Sequence, residues 1–448
     1  MFLDGFGMMW TLLLAMVAVG AGEEFPVRFL SPEDLEQAQG VGLAAQLPDE
    51  TAVLISADPS QPQLWHMPVA SEALEGEVRV WYQRVNKGEK EYSDQRTLCV
   101  GHIRGGAWNT PVLDPVPPAW GGANNVVLRR SPHPATWGGF NVFQMARFNN
   151  LYYLLYWDQP DKKGEAGAMP ATSKDGLHWE KDPRGTVFTE HNDAYTLLAK
   201  DGEFLLYQTM LEDWPDKPYP DNLDKKRRVQ CLRTSKDLMT WTPQAPLLRP
   251  DDKDKPEAEF YLMKVFAYGA RYAALLMKYY ADPQKPMKHS ARLEYELLVS
   301  PDARHWQRPF RETNLGFWSY ADPFVDAGKL CFAVYQESGM NLVKYRQNRL
   351  TGVTAETDGE FMTRPFATPP AELALDVNAA DGTVAVDLLD ANKTPLGGFG
   401  PCRVEGVNGE HVPLVWDGFT STQIPMSTCR LRFRLHHATV YAITAAGK

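Results

Sequence analysis

Three carboxylates stand just ahead of apolar, β-prone runs in this 448-residue chain: Asp193 in "EHNDAYTLL" (190–198), Glu259 in "PEAEFYLMKVF" (256–266) and Asp322 in "WSYADPFV" (318–325). The matching place in "GGFNVFQM" (138–145) offers Asn141. Carboxyl groups gathered round one pocket are desolvated and repel each other, which leaves some protonated and others ionised. A protonated and an ionised carboxyl are the pair that cleavage of a glycosidic bond requires. Glu259 has the longer reach, and Phe260 and Tyr261 beside it favour a neutral acid, so it is read as the general acid. Asp193 is read as base or nucleophile, and Asp322 as a group that holds a sugar hydroxyl or tunes the acid. The plain alternative for each is a turn carboxylate that caps backbone amides.

Aromatic faces suit sugar rings, and Trp137, Tyr195, Tyr261, Trp318 and Tyr320 lie beside these carboxylates. Asn141, Trp137, Tyr261, Trp318 and Glu257 are the candidate substrate-binding residues. Other chemistry fits less well. There is no GxSxG, HExxH or P-loop, and no loop pattern for calcium. The five cysteines, Cys99, Cys231, Cys331, Cys402 and Cys429, show no CxxC spacing. No metal and no cofactor is therefore expected. Cys402 and Cys429 share one segment and could pair, or all five could be buried thiols. Arg129, Arg130 and His133 in "LRRSPHP" could bind an acidic group, but the stretch reads first as an exposed loop.

The elements that must hold these residues repeat. "TSKDGLHWEK" (172–181), "TSKDLMTWTP" (234–243) and "SPDARHWQRP" (300–309) are near-copies, each after a strand-like run. A weaker copy ends at Trp108. Trp108, Trp179, Trp241 and Trp306 are then separated by 71, 62 and 65 residues. A further turn–strand–turn unit at 319–350 lacks the tryptophan. Five units of about four strands cannot bury their own faces one at a time, whereas radial stacking buries them all. The expected fold is all-β: a five-bladed β-propeller over 75–366, followed by a C-terminal β-sandwich over 371–448. The segment 51–57 is a possible ring-closing strand within an N-terminal segment, 23–74. In a propeller each innermost strand begins near the axis, which is why residues ahead of those strands draw attention. The repeated Asp turns and tryptophans themselves read as structural punctuation.

The formal charge of −10 argues against nucleic acid and anionic membranes as partners. Residues 9–21 form an apolar run that is too short to span a bilayer and ends in small residues. It reads as part of a signal peptide over 1–22, so a secreted or periplasmic location is expected.

Beyond the residues taken singly, the order "GGANNVVL" (121–128), Ser–Asp–Gly–Trp turns, "YELLVSPDARHWQRPF" (295–310) and "GEFMTRPF" (359–366) resembles secreted bacterial proteins of the five-bladed propeller superfamily. That superfamily holds the invertase-, levansucrase- and arabinanase-like glycoside hydrolases. The resemblance implies a glycosidase-like fold with a funnel-shaped axial pocket. The invertase-type "NDPNG" is absent. The leading expectation is a secreted glycoside hydrolase acting on an oligo- or polysaccharide. A non-catalytic carbohydrate-binding propeller is the first alternative. A sialidase-like enzyme is the second, with Arg129, Arg147 and Arg346 as candidate arginines.

Overall fold

The structure is a computed structural model. It describes residues 25–86, 95–113, 125–131, 140–159, 166–189, 193–218, 221–285, 288–369 and 371–445. Five antiparallel sheets follow one another along the chain. The first blade is Leu64–Leu74, Glu77–Asn86, Gln95–Arg104 and Ala107–Asn109, with Val126–Arg129 added beside its third strand. The second is Met145–Phe148, Leu151–Asp158, Gly167–Ser173 and Glu180–Lys181. Tyr195–Lys200, Glu203–Asp213, Lys226–Ser235 and Ala245–Leu248 make the third. The fourth is Glu259–Tyr268, Arg271–Tyr280 and Arg292–Ser300. In the fifth, Phe324–Asp326, Lys329–Gln336 and Gly339–Arg346 accept Glu50–Ser56 as the outer strand.

Local chemistry explains the inner hairpins. Asn149 and Asn150, Asp201 and Gly202, and Ala327 and Gly328 all have positive φ, so three blades open with the same two-residue turn, whose twist matches that of the strands. The repeated decapeptide makes a second kind of turn. Asp175, Asp237 and Asp302 each accept two backbone amides through Oδ1, and each is touched by the serine two residues earlier. The next position is left-handed in all three, occupied by Gly176, Leu238 and Ala303.

Packing closes the ring. One buried apolar cluster lies between blades one and two, and others lie between two and three, three and four, and four and five. Val78, Val80 and Ile103 of the first blade meet Phe324, Cys331 and Leu342 of the fifth. Trp179, Trp241 and Trp306 each pack at the interface with the preceding blade, and Trp108 packs at the junction of blades five and one. This is a five-bladed β-propeller.

Eight of the remaining strands form one sheet: Val27–Arg28, Leu35–Gln39, Gly42–Ala45, Thr351–Thr363, Phe366–Ala367, Leu373–Leu389, Cys402–Pro413 and Thr428–Ala445; Val415–Trp416 and Phe419–Thr420 make a separate hairpin. Its long strands carry register shifts at 355/358 and 378/383, and such bulges bend a sheet. The bend wraps it round Phe29, Val377, Val386, Trp416 and Phe433, all fully buried. The division between ring and tail therefore differs from that drawn above. Thr351–Thr363, Val27–Arg28, Leu35–Gln39 and Gly42–Ala45 belong to the tail, whereas Glu50–Ser56 and Leu64–Leu74 belong to the ring, because alternation marks a strand but not the sheet it joins. All five cysteines are free and buried, so Cys402 and Cys429 do not pair.

Candidate active site at the propeller axis

At the leading ends of the inner strands a polar chain crosses three blades. Arg96 of the first blade donates to Asn141 Oδ1 of the second. Asn141, itself buried, donates through Nδ2 to Asp193 Oδ2 of the third, at 2.8 Å. Both ends of the Asn141 amide are thus fixed. Burial pushes the Asp193 carboxyl above the usual carboxylate range, while Lys288, Arg96 and Asn141 pull it back. Burial thus works toward the neutral form of Asp193, and the two cations and Asn141 work toward its ionised form.

Aromatic rings lie at this end, the mouth of the propeller. Tyr320 lies 5.1 Å from Phe143 and 5.5 Å from Trp318, and Trp318 lies 6.3 Å from Tyr295. A register shift between Phe260 and Leu262 leaves Tyr261 out of the ladder, and a bulge of this kind re-aims a side chain. Lys288 Nζ stands 4.8 Å over the Tyr261 ring. Tyr195, by contrast, is core, with its hydroxyl on Leu155 O at 3.3 Å. In the first blade the leading end carries Trp65 and His66 instead of a carboxylate. Burial and Arg84 hold His66 neutral, its pKa pushed down to about 4.

Glu259 is placed differently from its reading as an acid. It is fully buried. Its Oε2 accepts Arg228 N at 3.0 Å and Arg228 Nη1 at 2.8 Å, and its Oε1 meets Lys217 Nζ at 2.8 Å. Asp221 completes the cluster through Arg228 and Lys217; burial opposes its ionisation, but Arg228 and Lys217 hold it down to about 2. A carboxylate engaged by two cations anchors an ion network. Glu257 is half-buried in the turn ahead of that strand.

Asp322 is not brought to Asp193 either. Its Oδ1 accepts Lys264 Nζ at 2.7 Å, and Lys264 is fully buried. Burial lowers the Lys264 pKa and Asp322 raises it again. Asp322 faces a cavity of about 300 Å³ with Gln144, Arg147, Leu198, Phe266 and Pro323. Gln144, Arg147, Leu198 and Phe266 lie three or more positions further along the inner strands than Asn141, Asp193 and Glu259. At about 3.3 Å per residue that is roughly 10 Å or more from the mouth.

Trp137 and His133 lie outside the described residues. Of the arginines weighed for a sialidase-type site, Arg147 pairs with Glu72, and Arg346 bonds Asn408 at 2.9 Å and lies 3.8 Å from Asp49. They do not gather with Arg96. Sequence reasoning missed Arg96 and Lys288, which sit in "DQRTL" and "PMKHS", stretches without a motif. Among the described residues, no three His, Cys, Asp or Glu side chains group as a metal site, and no helix is long and apolar enough to cross a membrane.

No family model and no curated protein matches the chain. Among solved structures it is similar to a family 117 glycoside hydrolase of the marine bacterium Zobellia galactanivorans, at 11% identity over 72% of this chain and 85% of that one, TM-score 0.39. It is also similar to a Bombyx mori GH32 β-fructofuranosidase, at 13% identity over 88% and 94%, TM-score 0.39. A third is the β-1,2-mannobiose phosphorylase of Listeria innocua, at 8% identity over 65% and 96%, TM-score 0.41. Identities and scores this low transfer no residue role, so function has to be argued from the site.

Proposed function

We propose that the axial mouth binds a carbohydrate and that Asp193 is the general acid for cleavage of its glycosidic bond. The observation that carries this is the Arg96–Asn141–Asp193 chain, in which a part-buried carboxyl is held in a fixed orientation and pushed toward its protonated form. As the bond between the anomeric carbon and the leaving oxygen breaks, the proton passes from Asp193 to that oxygen, and a solvent water adds to the anomeric carbon and gives up a proton that restores the Asp193 carboxyl. Tyr261 and Tyr320, both partly buried, offer faces on which a sugar ring can rest, whereas Trp318 packs in the core between blades four and five. The role differs from the base or nucleophile assigned to Asp193 above, because Glu259 is tied up by Arg228 and Lys217. An exported location is proposed from the 9–21 run and suits a protein that meets extracellular glycans.

Asp193→Asn tests the proposal. General acid assistance is worth about 10²–10⁴ in rate, so hydrolysis of an unactivated glycoside should fall by that order. An aryl glycoside with a good leaving group should lose far less, since its departure needs little protonation. Equal losses on both substrates would remove Asp193 from the acid role. A second reading, a non-catalytic carbohydrate-binding propeller, is favoured by one observation: Glu259 and Asp322 are both neutralised by lysine or arginine. Wild-type protein that binds glycans but cleaves none would select it.

A further inference from the structure

We propose that the cavity beside Asp322 is a second binding site, separate from the mouth, and that it takes one small neutral polyol: a single sugar ring or an alditol. The cavity measures about 300 Å³, the lower end of the range for small-molecule sites. Inner strands of blades two, three and four wall it, together with Asp322 and Pro323 just ahead of the inner strand of blade five. Met145, Leu198, Phe266 and Pro323 make much of that wall apolar.

Three polar side chains are set into it. Asp322 gives its Oδ1 to Lys264 Nζ at 2.7 Å, and Lys264 is fully buried, so the carboxylate is fixed while its Oδ2 is left to accept from a ligand. Gln144 is 3% exposed and accepts Leu197 N through Oε1 at 3.0 Å, which leaves Nε2 to donate. Arg147 pairs with Glu72 and has further N–H groups on its guanidinium. Charge decides the class of ligand. Lys264 balances Asp322, and Glu72 balances Arg147, so the polar part of the wall consists of two closed ion pairs. An ion that entered would give up its hydration and meet an opposite charge already engaged. A hydroxyl both donates and accepts. Adjacent hydroxyls of a polyol can donate to Asp322 Oδ2 and accept from Gln144 Nε2 and an Arg147 N–H, while the C–H groups lie against Leu198 and Phe266.

The test follows the Met145 methyl group by NMR in the full chain labelled with ¹³C-methyl methionine, its resonance assigned through Met145→Leu. The neutral probes are D-galactose, L-arabinose and sorbitol; D-galacturonate and D-galactosamine are the charged counterparts. At least one neutral probe should shift the Met145 resonance saturably at millimolar concentration, and the charged probes should bind about tenfold more weakly. Arg147→Leu should weaken the neutral probe about tenfold, as expected for one lost hydrogen bond to a charged group. Leu198→Trp fills the cavity and should abolish the shift; a thermal melt checks that each variant is folded, and if Leu198→Trp is not, Arg147→Leu decides. The proposal is overturned if no neutral probe gives a saturable shift, if the shift survives in folded Leu198→Trp, or if Arg147→Leu leaves the affinity unchanged. Charged probes that bind as tightly as neutral ones overturn the ligand class. Cleavage at the mouth is read on Asp193, so each of these results leaves that reading standing.

Discussion

Asp193 and Glu259 are both acidic residues at the leading end of an inner strand, yet their surroundings set them opposite tasks. Asp193 is part-buried, and burial raises its pKa in the folded protein. The native state then holds a proton that the unfolded chain has already released, over the window between the ordinary carboxylate value and the raised one. Stability must therefore fall as pH rises through that window. Asp193→Asn abolishes this titration. Its stability relative to wild type should improve steadily from below pH ~4 toward neutrality, as read from urea midpoints at several pH values. A difference that does not change with pH would mean the carboxyl is not held toward protonation. Glu259→Gln should behave in the opposite way. It leaves Arg228 buried with one fewer counter-charge, and breaking a buried pair costs about 3–5 kcal/mol. A large drop in the denaturant midpoint, without the leaving-group signature in kinetics, is the expected outcome.

The element that recurs is the Ser–x–Asp turn ending in tryptophan. Its left-handed position is also a docking point for the preceding blade. Trp81 Nε1 donates to Gly176 O at 2.7 Å, and Tyr207 Oη donates to Ala303 O at 2.8 Å. At Gly176 the fit leaves no room. A Cβ there would lie 2.6 Å from the Trp81 ring, on backbone with φ +74°. Ala303 occupies the same backbone state with its own methyl, because its partner is a tyrosine reaching in by its hydroxyl. Gly176→Ala should therefore destabilise the protein by about 1–3 kcal/mol through overpacking and strain. The loss should appear in thermal unfolding and in near-ultraviolet circular dichroism from the displaced tryptophan. An unchanged melting temperature would mean that the interface yields more readily than its packing suggests.

For the whole molecule, the N-terminal segment ties both parts together. Glu50–Ser56 is the outer strand of the fifth blade, and Val27–Arg28, Leu35–Gln39 and Gly42–Ala45 complete the C-terminal sheet. Across the junction, Arg349 Nε bonds the fully buried Asp376 at 2.6 Å, and Asp34 pairs with Arg271 at 2.6 Å. The tail is thus not a self-sufficient unit from 371 onward. A fragment of residues 371–448 lacks Phe29, Val353 and Phe361, which fill its core. It should show no cooperative unfolding transition and should expose apolar surface to a reporter dye. A sharp two-state melt of that fragment would show that those residues are dispensable.

Turn chemistry and strand alternation are local, so the sequence by itself determined the all-β character, the count of five blades from four tryptophan-marked units and a turn–strand–turn unit at 319–350, and the leading ends where Asn141 and Asp193 meet. It could not decide which carboxylate is paired with a buried cation. That depends on partners far along the chain, such as Arg228, 31 residues from Glu259, and Lys264, 58 residues from Asp322. Arg96 and Lys288 carry no motif, and only the closed ring brings them beside Asp193. The same holds for Thr351–Thr363, whose alternation reads alike in a blade or in a tail. Its place was settled by pairing with Thr428–Ala445, because burial and hydrogen bonding are shared between strands that the sequence keeps far apart.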